Sequence, residues 1–351
     1  MALPPMKIVS LVGLSESDAE RIRAVDPSID LTLAGGWFNG EYRDTWPDAT
    51  ASRYLTGEGH GTREDRDALL AGAEVIIAGF PFPLDLMART PNVKWVHQTP
   101  AGASNLLRGD IWGTEVPVTT SRGGGETTAI AEYAISGILH FVKAFDAALE
   151  DRTAGTFNHR RYGIRSAHDK TLCVIGAGGI GREVGRLGRA FGMRVIGTRR
   201  NTEVVEGDEV FEQLETPERL HEQLAQADFV AVCCQWTPET TNLLNDKAFS
   251  AMRDQVIVTN VARGEIIDEA ALLRALDTGK VRGAALDVYV GEFESLPPRE
   301  LWNHPRVLIT PHTSAQTDSS RRRSTDMFIK NMLCYLEGKP LTNRIDWSVG
   351  Y

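Results

Sequence analysis

The stretch TLCVIGAGGIGREVGRLGRAF, residues 171–191, constrains the fold of this chain more than any other. An apolar run ends in three glycines at G-x-G-x-x-G spacing, Gly176, Gly178 and Gly181. These lead into a segment whose apolar side chains, Ile180, Val184, Leu187 and Phe191, recur at helical spacing. Strand, tight turn and helix open a β-α-β unit, and the sequence downstream keeps that rhythm. TLCVIGAG, MRVIGTR, FVAVCCQ, QVIVTNV, GAALDVY and VLITP read as six strands with helical segments between most of them. Continuous apolar strands alternating with helices form a parallel sheet wound on both faces.

The first third repeats the pattern. KIVSLVG (7–13), AEVIIAGF (73–80), VKWVHQT (93–99) and VPVTTS (116–121) read as strands of a second parallel sheet. Residues 35–62, rich in Gly, Trp, Asp and Thr, read as a long irregular loop, and SRGGGETT (121–128) as a hinge. A helix follows in which Ile130, Ala134, Ile138, Phe141 and Phe145 recur at helical spacing. It is apolar on more than one side, which points to burial or a subunit contact. The polar segment 151–169 reads as an arm toward a partner chain, and 317–337 as an amphipathic helix that ends at Gly338 and packs back on the first domain.

At 351 residues and 42% hydrophobic content the chain has room for two cored domains. A net charge of −9 argues against a nucleic-acid binder or a peripheral membrane protein. The four cysteines, Cys173, Cys233, Cys234 and Cys334, include no C-x-x-C pair, so neither a zinc site nor a disulfide framework is expected. They read as apolar thiols of a reducing compartment. The N-terminal MALPPMKIVSLVGL reads as a first strand rather than a signal peptide, and no stretch is apolar enough to span a membrane. The expected location is the cytoplasm.

In the glycine turn, Gly176 permits the tight bend, Gly178 lets backbone approach a pyrophosphate, and Gly181 lets helix lie close on strand. The helix N-terminus, at Gly179 and Ile180, offers free N–H groups to phosphate. The following strand ends at Thr198, where such folds often place an acid that binds the ribose hydroxyls of NAD. Arg199 and Arg200 stand there instead, Arg199 lying 23 positions after Gly176. A guanidinium suits the 2′-phosphate of NADP and an acid would repel it. The expected cofactor is NADP, with NAD as the alternative; the competing reading is two solvated arginines.

Three further side chains fall beyond strand ends, where open parallel sheets bind ligands. QVIVTNV leads to Arg263, GAALDVY to Glu292 and VLITP to His312. A carboxylate clamp, a carboxylate and an imidazole fit hydride transfer to a 2-keto acid. Arg263 would hold the substrate carboxylate and polarise the keto oxygen. His312 would donate a proton to that oxygen, and Glu292 would orient the imidazole and favour its charged form. Taken singly, each could be an ordinary ion-pair, loop or core residue.

NVARGEIIDEAALLRAL, GAALDVYVGE and LITPHTS, in this order, resemble the signature segments of the D-isomer-specific 2-hydroxy-acid dehydrogenases. The resemblance runs from VKWVHQTPAGASNLL to the C-terminal helix. It implies a catalytic set of Arg263, Glu292 and His312. It implies that backbone at Ala101 and Gly102 holds the substrate carboxylate. Asp287 would meet the nicotinamide carboxamide, with Val261, Ala262 and Ser314 on that side and Cys233, Cys234 and Thr237 on the adenosine side. It further implies a Rossmann cofactor domain, 122–314, inserted into a flavodoxin-like substrate domain of 1–121 and 315–351, and a homodimer formed through the cofactor domains. Two departures stand out: Cys233-Cys234-Gln235 replaces a frequent His-x-Pro, and Phe293 replaces the usual Pro after Glu292.

Arg199 and Arg200 resemble the NADP-preferring glyoxylate/hydroxypyruvate reductases, so the leading expectation is reduction of a small 2-keto acid. A phosphoglycerate dehydrogenase is a nearby alternative, disfavoured by the lack of room for an extra regulatory domain. A formate dehydrogenase would replace Glu292 by an amide. A non-catalytic dinucleotide-sensing corepressor, the alternative from another class, is disfavoured by the absence of long basic tails.

Overall fold

The computed structural model describes residues 5–122, 127–202, 209–318, 320–348 and 350. Residues 123–126, half of the glycine-rich hinge segment, lie outside them. The chain divides into two units: Met1–Gly125 with Phe293–Ser295 and Asp318–Tyr351, and Glu126–Glu292 with Leu296–Thr317.

In the first unit, among the described residues, five strands form one parallel sheet: β1 (Met6–Ser10), β2 (Ile29–Leu33), β3 (Val75–Ala78), β4 (Trp95–Gln98) and β5 (Val118–Thr120). Their order is β2-β1-β3-β4-β5. The central strands are the continuous apolar runs read from sequence. β2, IDLTL, went unread because it is an edge strand whose Asp30 is exposed, so it alternates instead of running apolar. The helix Ser320–Leu336 belongs to this unit, and its Phe328 stacks on Trp95 with ring centroids 5.1 Å apart.

The expected loop at 35–62 contains two helices, Asn39–Thr45 and Asp48–Tyr54. Phe38, Tyr42 and Trp46, spaced four apart, are buried, and the Trp46 indole N–H donates to the Phe82 carbonyl at 2.9 Å. The polar residues between them masked this stripe. Glu41, buried beside it, accepts from Arg66 at 3.1 Å and from Arg89 at 2.5 Å, and Arg89 is buried as well. Buried charges persist only when paired, and this pair ties the first of these helices to Leu86–Arg89.

In the second unit seven parallel strands are described, one more than the sequence suggested. They are β6 (Thr171–Ile175), β7 (Arg194–Thr198), β8 (Gln213–Glu215), β9 (Phe229–Val232), β10 (Val256–Asn260), β11 (Val281–Leu286) and β12 (Val307–Ile309), in the order β12-β11-β10-β9-β6-β7-β8. The extra strand, β8, is a three-residue edge too short to carry a pattern. The helix Thr127–Val142 is buried against this sheet through Ile130, Ala134, Ile138 and Phe141. Phe145 does not continue its stripe. Ala144 sits at φ +54°, which breaks the helix, and Phe145 begins the next one, Phe145–Ala154, with its ring 55% exposed. Within that helix the buried carboxylate of Asp151 accepts from Thr156, Arg161 and Tyr162, which folds the polar arm back on the helix.

Candidate active site

The strand order of the second sheet reverses at β6, and the glycine turn follows β6. Gly176 has φ +92°, and a Cβ there would lie 2.5 Å from the Cα of Cys234. A Cβ on Gly181 would lie 2.2 Å from the Gly176 carbonyl oxygen, so helix and strand touch backbone to backbone. Gly178 caps the helix Gly179–Ala190, and a Cβ there would meet nothing within 4 Å. The turn is therefore tight on its inner side and open on its outer side, beside the first N–H groups of the helix at Gly179 and Ile180. That shape fits a pyrophosphate.

β7, next to β6, ends at the buried Thr198. Arg199 is half-buried, and among the described residues its guanidinium makes no hydrogen bond or ion pair. Arg200 is exposed and its charge reaches Glu239. On the other side of β6, beyond β9, lie Cys233, Cys234 and Thr237. Successive strand residues face opposite ways: Cys233 packs with the Ile130 cluster and Cys234 with the Leu244 cluster. Burial raises both thiols, Cys234 to about 12, so they are apolar filler rather than reactive groups. Thr237 caps the turn Pro238–Thr240.

Arg263, Glu292 and His312 follow three consecutive strands, β10, β11 and β12. Neighbouring strands lie about 4.8 Å apart, so the bases of these loops fall within about 10 Å of one another. After β10, Val261 and Ala262 are buried. The Asn260 amide donates to the Arg263 carbonyl at 2.8 Å and its oxygen accepts from Ala262 N–H at 3.0 Å, which fixes the bend that presents Arg263. The guanidinium is half-buried and donates to the Ala262 carbonyl at 2.6 Å.

His312 Nδ1 lies 3.1 Å from both oxygens of Glu292, which is only 3% exposed. An acceptor-only carboxylate requires the proton on Nδ1, which leaves Nε2 as the nitrogen for exchange with a substrate. His312 sits on a left-handed backbone, φ +54°, and two carbonyls hold it there: its backbone N–H donates to those of Asp287 and Thr310, both at 2.9 Å.

Asp287 is 1% exposed, and its carboxylate accepts from the Thr310 hydroxyl (2.7 Å), Thr313 N–H (2.7 Å) and Ser314 N–H (2.9 Å). The resemblance assigned it to the nicotinamide carboxamide. In this geometry its bonds all go to the turn that carries His312. Since Thr310 gives its proton to Asp287, Tyr133 must donate to Thr310, across 2.6 Å. Burial pushes the Tyr133 phenol up to about 12, so it remains a donor. Tyr133 and Thr310 were not read from sequence: Tyr133 looks like one more apolar helix residue, and its partner lies 177 positions away.

Ala101 and Gly102 belong to the first unit. Among the described residues their N–H groups have no partner, while the Gly102 carbonyl accepts from buried Gln98, which accepts in turn from Asn105 at 3.1 Å. The loop is thus braced from behind with two donors left over. The same unit holds a cleft of about 570 Å³ at the carboxyl ends of its strands, lined by Leu11, Val12, Tyr54, Leu55, Phe80 and His97. His97 is fully buried between Thr119 and Ser121, and burial lowers its imidazole to about 3, so it stays neutral. Among the described residues no cluster of His, Cys, Asp or Glu is placed to hold a metal ion, and no helix is long and apolar enough to cross a membrane.

A glycine turn at the reversal point of an open parallel sheet defines a dinucleotide-binding protein, and four strands along the same sheet stands a carboxylate-backed imidazole able to exchange a proton. The comparisons make this specific. Residues 135–314 match the family described as D-isomer specific 2-hydroxyacid dehydrogenase, NAD binding domain. The chain is 30% identical over 322 residues to 4-methyl-2-oxopentanoate reductase A of Aspergillus oryzae, covering 86% of this chain and 93% of that one. It is 34% identical over 227 residues to human D-3-phosphoglycerate dehydrogenase, covering 63% of this chain but only 41% of that one. Its fold matches a D-isomer specific 2-hydroxyacid dehydrogenase from Xanthobacter autotrophicus, solved with NADPH and MES, at a TM-score of 0.77 and 24% identity, covering 99% and 100% of the two chains. The chain belongs to the D-isomer specific 2-hydroxyacid dehydrogenase family and is an NAD(P)-dependent oxidoreductase.

Proposed function

We propose that this enzyme reduces a small 2-keto acid, of the glyoxylate or hydroxypyruvate type, to the D-2-hydroxy acid with NADPH preferred over NADH. The observation that carries the chemistry is the His312–Glu292 pair: a buried carboxylate with both oxygens 3.1 Å from Nδ1 keeps a proton there, so the second proton of the imidazolium, on Nε2, is the one to be donated. The bound dinucleotide supplies hydride. Nε2 of His312 protonates the keto oxygen. Arg263 pairs with the substrate carboxylate and polarises the carbonyl. The unpartnered N–H groups of Ala101 and Gly102 are donors of the kind a carboxylate takes. Gly176, Gly178, Gly179, Ile180 and Gly181 would hold the pyrophosphate. Thr198, Arg199, Cys233, Cys234 and Thr237 would border the adenosine end, and Val261, Ala262, Asp287 and Ser314 the nicotinamide end. Support for NADPH comes from the unpartnered guanidinium of Arg199 at the ribose position.

A second reading, a 2-keto acid with a branched apolar tail, draws on Leu11, Val12, Leu55 and Phe80, the apolar part of the mixed lining of the first unit's cleft. The relative named 4-methyl-2-oxopentanoate reductase A points the same way. Steady-state turnover of glyoxylate, hydroxypyruvate, pyruvate and 4-methyl-2-oxopentanoate, each with NADH and NADPH, decides between them. The leading reading predicts the highest kcat/KM for glyoxylate or hydroxypyruvate with NADPH. A tenfold advantage for the branched acid selects the second, and no turnover of any would refute both.

We further propose a homodimer formed through the second unit, acting in the cytoplasm, where the four free thiols stay reduced. Phe145, Leu149, Phe157 and Ile164, four large apolar groups, are all exposed on the helix Phe145–Ala154 and the arm after it, and exposed apolar surface of this kind is a common mark of an interface. Sedimentation equilibrium should give twice the chain mass, and Phe145→Asp with Leu149→Asp should halve it. A wild-type monomer at micromolar concentration would overturn the proposal.

A further inference from the structure

We infer that Glu215 and Arg219 tune the choice between NADPH and NADH, with Arg219 acting as a positioning residue that neutralises a carboxylate beside the 2′-phosphate. The inference rests on the reading above in which Arg199 receives that phosphate, and it concerns side chains that the glycine motif and strand β7 do not include.

β8 pairs with β7 in parallel, with Thr198 opposite Glu215. The Arg199 N–H donates to the Glu215 carbonyl at 2.9 Å. Glu215 is thereby anchored one strand spacing, about 4.8 Å, from the residue that precedes Arg199, and at the same edge of the sheet. Its carboxylate is half-buried. One oxygen accepts from the Gln213 amide at 3.2 Å, and the other lies 3.7 Å from Arg219 Nε. The Arg219 guanidinium also donates to Glu222, so it is spent on two acids. Arg200 lies in the field of Glu239, whose carboxyl is held below its usual range first by the Thr237 hydroxyl and, more weakly, by that arginine.

Around Arg199 the rim of the adenosine end thus carries one more acid than base: Arg219 with Glu215 and Glu222, and Arg200 near Glu239. Arg199 alone among these arginines has no partner among the described residues. A dianionic phosphate held by Arg199 would lie at the sheet edge that carries Glu215. Arg219 screens that carboxylate without being available to the phosphate. An NADH ribose, with no phosphate, is indifferent to both groups.

The test is kcat/KM for NADPH and NADH on the intact protein, with Glu215→Gln, Arg219→Gln and the double variant. One unscreened charge at this range shifts binding about three- to tenfold. Arg219→Gln should lower the NADPH/NADH ratio by that factor, through KM for NADPH, with NADH parameters unchanged. Glu215→Gln should raise it, and the double variant should return to near the wild-type ratio. Arg219→Lys should restore most of the loss. A structural role would instead move both cofactors together. Ratios within twofold of wild type in both single variants, or equal losses with NADH and NADPH, overturn the inference. If Arg219→Gln does not fold, Glu215→Gln decides alone. An Arg199→Gln control separates the two layers: if it leaves the ratio unchanged, the NADPH reading itself fails, and if only it moves the ratio, the inference about Glu215 and Arg219 fails.

Discussion

Replacing His312 by Asn is expected to lower kcat for 2-keto acid reduction about 10²–10⁴-fold, the range of general-acid catalysis, with some loss of thermal stability because the buried Glu292 loses its ring N–H partner. Asn is the appropriate substitution because His312 occupies a left-handed backbone, φ +54°, which Asn also tolerates. The bonds that fix this backbone come from its own N–H to Asp287 and Thr310 carbonyls and survive the change. What disappears is the ring nitrogen proposed to deliver the proton. Glu292→Gln should give a smaller loss in kcat: the ring keeps a hydrogen-bond partner, but a neutral amide replaces a carboxylate that meets Nδ1 with both oxygens. If His312→Asn retains more than a tenth of wild-type kcat while the fold is intact, another group supplies the proton. The most direct competitor would be a water held near Arg263. Solvent isotope effects on the residual rate would then differ between the two enzymes.

The second sheet was legible because its central strands are buried on both faces and therefore write themselves as unbroken apolar runs. β6 and β10 need no further cue. The elements that escaped are those whose pattern is diluted. β2 has one wet face, β8 has three residues, and the helix Asn39–Thr45 hides its apolar stripe among Gly, Asp and Arg. The site divides along the same line. Gly176, Arg199, Arg263, Glu292 and His312 are visible because each lies at the end of a legible strand. Gln98, Tyr133 and Thr310 act through partners brought together only by folding, and nothing in their local sequence separates them from ordinary core polar residues. Asp287 shows the remaining gap. Its position was readable from the motif, but the three bonds by which it holds the His312 turn were not.

Replacing Arg199 by Asp should reverse the cofactor preference, with kcat/KM for NADPH falling about 10²–10³-fold. A hydrogen bond to a charged group contributes about 1.5–3 kcal/mol, a guanidinium can make two to one phosphate, and the new carboxylate would repel a dianion. For NADH the sign is opposite, because an acid at a strand end of this kind accepts from the ribose hydroxyls; kcat/KM with NADH should hold or rise. The backbone consequence is small, since the Arg199 N–H keeps its bond to the Glu215 carbonyl, and the lost guanidinium leaves no former partner unsatisfied among the described residues. Arg200→Asp is the internal comparison. Its side chain is exposed and near Glu239, so its loss should cost NADPH less than the loss of Arg199. The ranking matters more than either magnitude. Equal effects would mean that the two arginines act only through their summed field, and the ratio would then decline with ionic strength in wild type as steeply as in either variant. An unchanged NADPH/NADH ratio in Arg199→Asp would show that the phosphate, if bound at all, is held elsewhere.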